Sequence, residues 1–479
     1  MNKFFQNFLF ISGGQIISIV LNFTALTLVA RFLGVDDYGQ FNYVLAIAVI
    51  LSKLVDFGLS PITYRESSQS SQFVYLNNAI TFRFILFFSV LLLFNLFTII
   101  IRLPLTETTL TNILFINIII SSKFQNVREL LDIPFKVKII SRYSIYCMII
   151  DNVLFLTFVL FIPIYNLGLL FVVLAYVVSN LPGFILIIYF LRNKCGFRYN
   201  FDFSKISFLV RESLPLMGYV ALITVYQQFD ILILKNMDSN YSAGIFSAAA
   251  RLTLPFNIIP SAIISTIFPL VVSNAKNPYK PKSLNKLIYK VLFFISFLIA
   301  ITAVFKAKQI IILIFGIEYQ EAYIPFIYLF FSQIFLFYNF FTVDLLTAYK
   351  KQTLSFQYSF LLVFLNIGLA FILIPKFSFN GAGFAKLLSI ICGFLFLFYS
   401  AKKLKVSSNF FNLRIMLSIL LITTSMFLIS NLAIEYYFII SLIIICLITV
   451  KLKFFDDSEM ITIFKMINKE KWAHKIINL

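Results

Sequence analysis

The stretch QIISIVLNFTALTLVARFLGVDDYGQFNYVLAIAVILSKLVDFGLS, residues 15–60, decides the fold class. It holds two apolar runs, each long enough to supply the roughly 20 residues that a helix needs to cross a bilayer. Between them lies ARFLGVDDYGQF (Ala30 to Phe41), with Gly34, Gly39 and the pair Asp36-Asp37. The pattern predicts two membrane helices joined by a tight turn. Arg31 closes the first run, and Lys53 and Asp56 lie inside the second. A charge at the centre of a membrane helix costs about 2.5–3.5 kcal/mol on insertion scales. Each of these charges therefore needs a physical reason.

Outward from this stretch the same grammar repeats. Hydrophobic residues make up 61% of the 479, charged residues 12%, and the mean hydropathy is +0.95. A soluble domain carries about a quarter charged residues, so the chain reads as an all-α, polytopic membrane protein. The apolar runs place about fourteen helices at 5–32, 41–63, 78–101, 109–127, 143–165, 167–191, 207–235, 242–273, 286–305, 321–346, 352–374, 379–401, 413–431 and 434–452. They leave no room for a large soluble domain, and the first run continues without a small-residue cleavage site, so it reads as a permanent span. Cys147, Cys195, Cys392 and Cys446 stand singly and His474 is alone in the tail. That spacing implies neither a disulfide framework nor a His/Cys metal site. No phosphate-binding glycine loop is present, and no cofactor is implied.

The formal charge of +19 sorts by side. With the N-terminus inside, 28 of the 39 basic residues fall in one set of loops and the tail, six in the other set, and five within spans. The positive-inside rule then places both termini in the cytoplasm. The basic excess follows topology and forms no dense patch, which excludes a nucleic-acid partner. The tail, 453–479, reads as an amphipathic helix on the inner leaflet. Its acidic Asp456, Asp457 and Glu459 come first and its Lys465, Lys469 and Lys471 later, an order that suits the helix dipole.

Two phrases recur about 205 residues apart. DYGQFNYVLA (Asp37 to Ala46) is echoed by SAGIFSAAAR (Ser242 to Arg251), with Gly39 on Gly244 and Phe41 on Phe246. LFIPIYNLGLLFVVLAYVV (Leu160 to Val178) is echoed by ILIPKFSFNGAGFAKLLSI (Ile372 to Ile390), each a span ending in Ile-Pro before a glycine opens the next. Such echoes predict two six-helix halves, 1–205 and 206–405, around a central cavity, then two extra helices (406–452) and the cytoplasmic tail (453–479).

The phrase LVARFLGVDDYGQFNYVLAI, then DFGLS, Arg65-Glu66 and YSAGIFSAAARL, resembles the polysaccharide-transporter branch of the multidrug/oligosaccharidyl-lipid/polysaccharide superfamily, within it the Wzx-type O-antigen or repeat-unit flippases. The resemblance runs to about residue 450. Family members often have proline after the Leu-Gly, where this chain has Val35. The lipid II flippase branch shows an Asp-Ala-Phe phrase after its first loop; Tyr-Gly-Gln-Phe-Asn-Tyr stands here instead. The resemblance implies a flippase of the bacterial inner membrane. It would carry undecaprenyl-diphosphate-linked oligosaccharide to the outer leaflet by alternating access, for O-antigen or capsule synthesis, in company with polymerase or assembly proteins.

A cationic cavity would suit such a diphosphate, because arginine offers fork-like donors to phosphate oxygens. Arg251, Arg31 and Arg83 are the expected substrate-binding residues. Arg83 lies near enough to its span end to snorkel, whereas Arg251 lies about ten residues deep and sits in the echoed phrase. Lys53 and Asp56, three apart on one helix face, could neutralise each other, and Lys123 and Lys386 read as interfacial. Asp56, Asp230, Asp151 and Asp344 are the candidates for ion or proton coupling, Asp230 within the polar phrase YQQFD; helix–helix hydrogen bonding is the alternative role. Two other functions compete. A membrane glycosyltransferase or polymerase would use Asp36-Asp37 in an outer loop, but all outer loops are short, and paired aspartates beside glycine are common turn formers. A multidrug exporter would prefer acidic cavity residues, whereas the span charges here are as much basic as acidic. The expectation is a transporter, not an enzyme.

Overall fold

Helix is the one way a single apolar strand of chain satisfies its own backbone in lipid, and among the described residues no β-strand occurs. The computed structural model describes residues 3–69, 73–196, 202–275, 283–404 and 412–466. In order the helices are α1 (Lys3–Asp56), α2 (Leu59–Gln69), α3 (Val74–Ile100), α4 (Leu105–Phe115), α5 (Asn117–Ile120), α6 (Val127–Val137), α7 (Arg142–Leu160), α8 (Ile162–Tyr165), α9 (Leu169–Val178) and α10 (Leu181–Cys195). Then follow α11 (Ser204–Met237), α12 (Asn240–Thr253), α13 (Ile258–Ala275), α14 (Ser283–Phe305), α15 (Ala307–Phe315), α16 (Tyr323–Ala348), α17 (Gln352–Lys403), α18 (Leu413–Leu428), α19 (Ile434–Lys451) and α20 (Asp457–Met466). Ten helical stretches are long and apolar enough to cross a membrane. Two of them, Phe10–Gln69 and Gln352–Lys403, are of double length, and Leu105–Ile120 and Leu413–Leu428 are shorter apolar helices.

The turn expected at residues 33–40 shrinks to one residue. Gly34 (φ 76, ψ 177) alone leaves helical geometry inside α1, a conformation that costs glycine nothing and a side chain much. Helix resumes at once, so Asp36 and Asp37 are exposed in the first turn after the kink. There they face the positive end of a helix dipole, which gives them a structural reason that a catalytic reading does not need. Ser378 (φ 52, ψ −137) makes the equivalent interruption in α17. Two expected spans are also interrupted. The fourth ends at Ile120, and the eighth is divided by a 3-10 turn at Leu254–Asn257.

The chain divides into two compact units, Met1–Ala248 with Ile367–Ala382, and Ala249–Asn366 with Gly383–Leu479. In the first, α1 is the central post and packs on α7, α11, α4, α3 and α9. The echoed glycines meet there. A Cβ on Gly39 would strike the Asn240 carbonyl and the Gly244 nitrogen, and a Cβ on Gly244 would strike the Val35 carbonyl. Helices in lipid gain from close backbone approach through small residues, and each echoed glycine is the notch that admits the other's helix.

In the second unit α14 lies along α16, with Tyr289 stacked on Tyr338 at 4.4 Å and bonded to the Thr342 hydroxyl at 3.0 Å. Two lysines tie α14 to its neighbours. Lys290, 2% exposed, pairs with Glu459 of α20 at 2.6 Å. Lys306, just past the helix, donates to the Ser430 and Leu432 carbonyls at 2.7 and 2.5 Å and so closes the α18–α19 turn. The acidic start expected for the tail helix is present in α20; residues 467–479 lie outside the described residues.

Overpacking a tight contact costs about 1–3 kcal/mol. Gly39→Leu and Gly244→Leu should each lower the thermal midpoint of the purified protein in detergent by several degrees, whereas Gly368→Ala, with open space around it, should leave the midpoint unchanged or raise it.

Candidate functional site

The polar phrase SSKFQN, residues 121–126, interrupts the apolar chain between α5 and α6. Ser121 is extended, Gln125 has a φ of 50°, and Asn126 is non-helical. A helix that ends leaves its last carbonyls without partners, and inside an apolar protein an unpaired carbonyl is costly. Three basic side chains supply the donors. Arg128 Nη1 donates to the Ile120 carbonyl at 3.1 Å. Lys53 Nζ reaches the Phe124 carbonyl at 3.5 Å, as does the Ser52 hydroxyl. Arg83 Nη1 donates to the Asn126 carbonyl at 2.5 Å. Asn126 itself donates through Nδ2 to the Ser52 carbonyl at 2.7 Å, tying the break to α1.

Each buried guanidinium carries its own counter-charge. Arg83, 0% exposed on α3, pairs with Asp56 at the end of α1, and its Nη2 donates to the Ser60 hydroxyl at 3.0 Å. Ser60 in turn donates to Glu129 of α6 at 2.8 Å. Arg128, 1% exposed, pairs with the buried Asp151 of α7 at 2.5 Å. This second pair lies against α10, where a Cβ on Gly183 would strike both the Asp151 carboxylate and the Arg128 guanidinium. Above it, Ser121 donates to Asn180 at 3.1 Å, and Asn180 donates to Asn117 at 3.3 Å. Beside Arg128 on α6, burial pushes the Asp132 carboxyl above the usual carboxylate range, with Ser144 and the Arg128 and Lys136 cations opposing.

The geometry therefore reassigns several residues. Arg83 does not snorkel to the interface; it is sealed inside the first unit, and its Nη groups donate to protein oxygens. Lys53 and Asp56 do not neutralise each other, because Lys53 turns to Phe124 and Asp56 to Arg83. Asp56 and Asp151 hold arginines. Asp230 is fully buried in α11 and Asp344 half-buried in α16. Arg31 is exposed on α1, three residues before the Gly34 kink, and Arg251 is half-buried in the last turn of α12. Lys123 is not interfacial either: its Nζ is sealed between Phe155 and Tyr176. Sequence reasoning missed Arg128, Asn126, Asn180 and Gly183. Arg128 counted as a cytoplasmic loop charge, because its partner lies 23 residues away on another helix. The run of six non-aliphatic residues, SSKFQN, was the readable sign of the break.

Among the described residues no group of three His, Cys, Asp or Glu side chains could hold a metal ion. The arrangement is a clamp on backbone.

Removing one partner of a buried ion pair costs about 3–5 kcal/mol, while replacing both by apolar groups is often neutral. Arg128→Leu should thus lower the thermal midpoint strongly, and the double variant Arg128→Leu/Asp151→Leu should recover most of the loss. Gly183→Ala should destabilise the native protein but lose its effect in that double variant, as contacting residues couple.

The comparisons agree with this architecture. The family described as polysaccharide biosynthesis protein matches residues 4–275. The capsular polysaccharide biosynthesis protein CapF of Staphylococcus aureus is 24% identical over 412 residues, covering 83% of this chain and 99% of that protein. Among solved structures, the lipid II flippase MurJ in an inward closed conformation superposes with a TM-score of 0.74 at 16% identity, over 96% of this chain and 99% of that one. An inward-facing multidrug resistance transporter of the MATE family, of the MOP superfamily, gives 0.64 at 14% identity, over 82% and 96%. At such identities these two likenesses are of fold alone. More than half of the chain carries the family's pattern: this protein belongs to the polysaccharide biosynthesis family and has the helical fold of MurJ and the MATE transporters.

Proposed function

We propose that this protein is a flippase that moves polyprenyl-diphosphate-linked oligosaccharide repeat units from the cytoplasmic to the outer leaflet of a bacterial cell membrane. The observation that carries the reading is membership in a polysaccharide biosynthesis family by a chain made of membrane-length helices. Likeness in fold to a lipid II flippase supports it. In this reading α1 and α17 each cross twice, at the Gly34 and Ser378 interruptions, and Leu105–Ile120 and Leu413–Leu428 also cross, which gives fourteen spans with both termini cytoplasmic. Two six-helix halves alternate access to a cavity, and the polyprenyl tail stays in lipid while the headgroup crosses.

Arg31, exposed on α1, and Arg251, half-buried in the last turn of α12, are the proposed diphosphate ligands, because a guanidinium offers a fork-like pair of donors to phosphate oxygens. Asp230, buried in α11, and Asp344, half-buried in α16, are the proposed carboxylates for ion or proton coupling. The membrane potential adds a second source of drive, because an inside-negative potential favours outward movement of an uncompensated anion by about 2.3 kcal/mol per charge per 100 mV.

In a strain lacking its own copy, the wild-type chain should restore surface polysaccharide. Arg251→Ala should abolish it with the protein still present in the membrane. Arg251→Lys should restore only part, because lysine supplies charge without the bidentate fork. Normal surface polysaccharide in Arg251→Ala would remove Arg251 from the site and, with it, the diphosphate assignment.

A further inference from the structure

Lys123 is the one cation of the break that clasps no carbonyl. It stands in the turn between α5 and α6, outside every described helix. Its Nζ lies 4.4 Å from the centre of the Phe155 ring and 4.6 Å from that of Tyr176, and it has no hydrogen-bond acceptor. The two rings meet edge to face at 5.1 Å, so the ammonium sits in an aromatic corner rather than in water. Ring faces attract a cation, but they do not replace the acceptors it loses on burial.

The charged and titratable groups around it come from each neighbouring element. Asp151 on α7 and Arg128 on α6 act on it electrostatically, Tyr176 on α9 contributes its ring, and Lys53 on α1 reaches the next residue's carbonyl. Asp151 is the carboxylate that acts on Lys123, and Arg128 already holds it at 2.5 Å. Two cations thus share one anion. A guanidinium stays protonated in proteins, whereas an ammonium gives up its proton when burial deprives it of a counter-charge.

We propose that Lys123 is a proton-exchanging group of the first unit, neutral while sealed in its aromatic corner and protonated whenever the 121–126 break opens to water. The role deepens the flippase reading and rests on it: movement of the break would be tied to uptake and release of one proton at a lysine. The proton passes to and from water at Nζ, and no other bond changes. Lys123 is a coupling residue, not a ligand of the cargo.

The test uses the full-length protein in proteoliposomes, labelled with 13C and 15N at lysine side chains and observed by solid-state NMR through a pH titration. The expected result is one lysine resonance that titrates well below the value of about 10.4 of an exposed lysine, and that is missing from Lys123→Met. Lys123→Arg, which keeps a permanent cation, should fold and reach the membrane but export several-fold less surface polysaccharide. It should also lose the pH dependence of export. An ammonium at Lys123 that persists to the pH of the exposed lysines would overturn the proposal, as would full, pH-dependent export by Lys123→Arg. If the Lys123 resonance titrates as expected but wild type fails to restore any surface polysaccharide, the flippase reading falls and the coupling role falls with it.

Discussion

A main-chain carbonyl that has left its helix inside an apolar protein must find a donor, and much of the first unit follows from that demand. The chain breaks at 121–126, and the carbonyls of Ile120, Phe124 and Asn126 are met by Arg128, Lys53 and Arg83. The guanidiniums then need anions, which fixes Asp56 and Asp151. The Arg128–Asp151 pair needs room, which fixes a glycine at 183. Each requirement generates the next.

The second unit repeats the device with different partners. Lys306 clasps two carbonyls of the α18–α19 turn, and Lys290 holds the start of α20 through Glu459. Glu459 also accepts from the Asp456 amide at 3.0 Å, so it caps α20 while serving as the anion. Arg83, Arg128 and Lys306 are buried and secure interrupted backbone, whereas Arg31 is exposed and Arg251 half-buried. Burial depth alone is a poor guide to function in such a chain, because the deepest arginines are the least available.

The membrane-length helices, the helical class and the family were legible from residues 15–60 outward, because apolar length and the Tyr-Gly-x-Phe phrase are local signals. The echo of Gly39 at Gly244 was legible as repetition, but that the two glycines meet was not, since contact between helices has no sequence period. The turn at 33–40 was legible as a turn, but that it would shrink to Gly34 was not. One glycine with positive φ redirects a helix without spending a loop, and the aspartates after it are as much at home in a helical first turn as in a turn. The roles of Arg83, Arg128 and Lys53 were hidden because their partners are backbone atoms and carboxylates up to 71 residues distant. An arginine that satisfies a carbonyl looks, in sequence, like one that awaits a phosphate.

The central claim is that the cations of the first unit hold the 121–126 break shut. Amide hydrogen exchange over residues 118–130, read by mass spectrometry on the protein in lipid nanodiscs, tests it most directly. Wild type should exchange there as slowly as mid-α3, although 121–126 lie outside any helix, and Lys53→Met should speed exchange in that segment by at least about tenfold, a loss of roughly 1.4 kcal/mol of local stability. Fast exchange of the segment in wild type, or no change in Lys53→Met, would contradict the account.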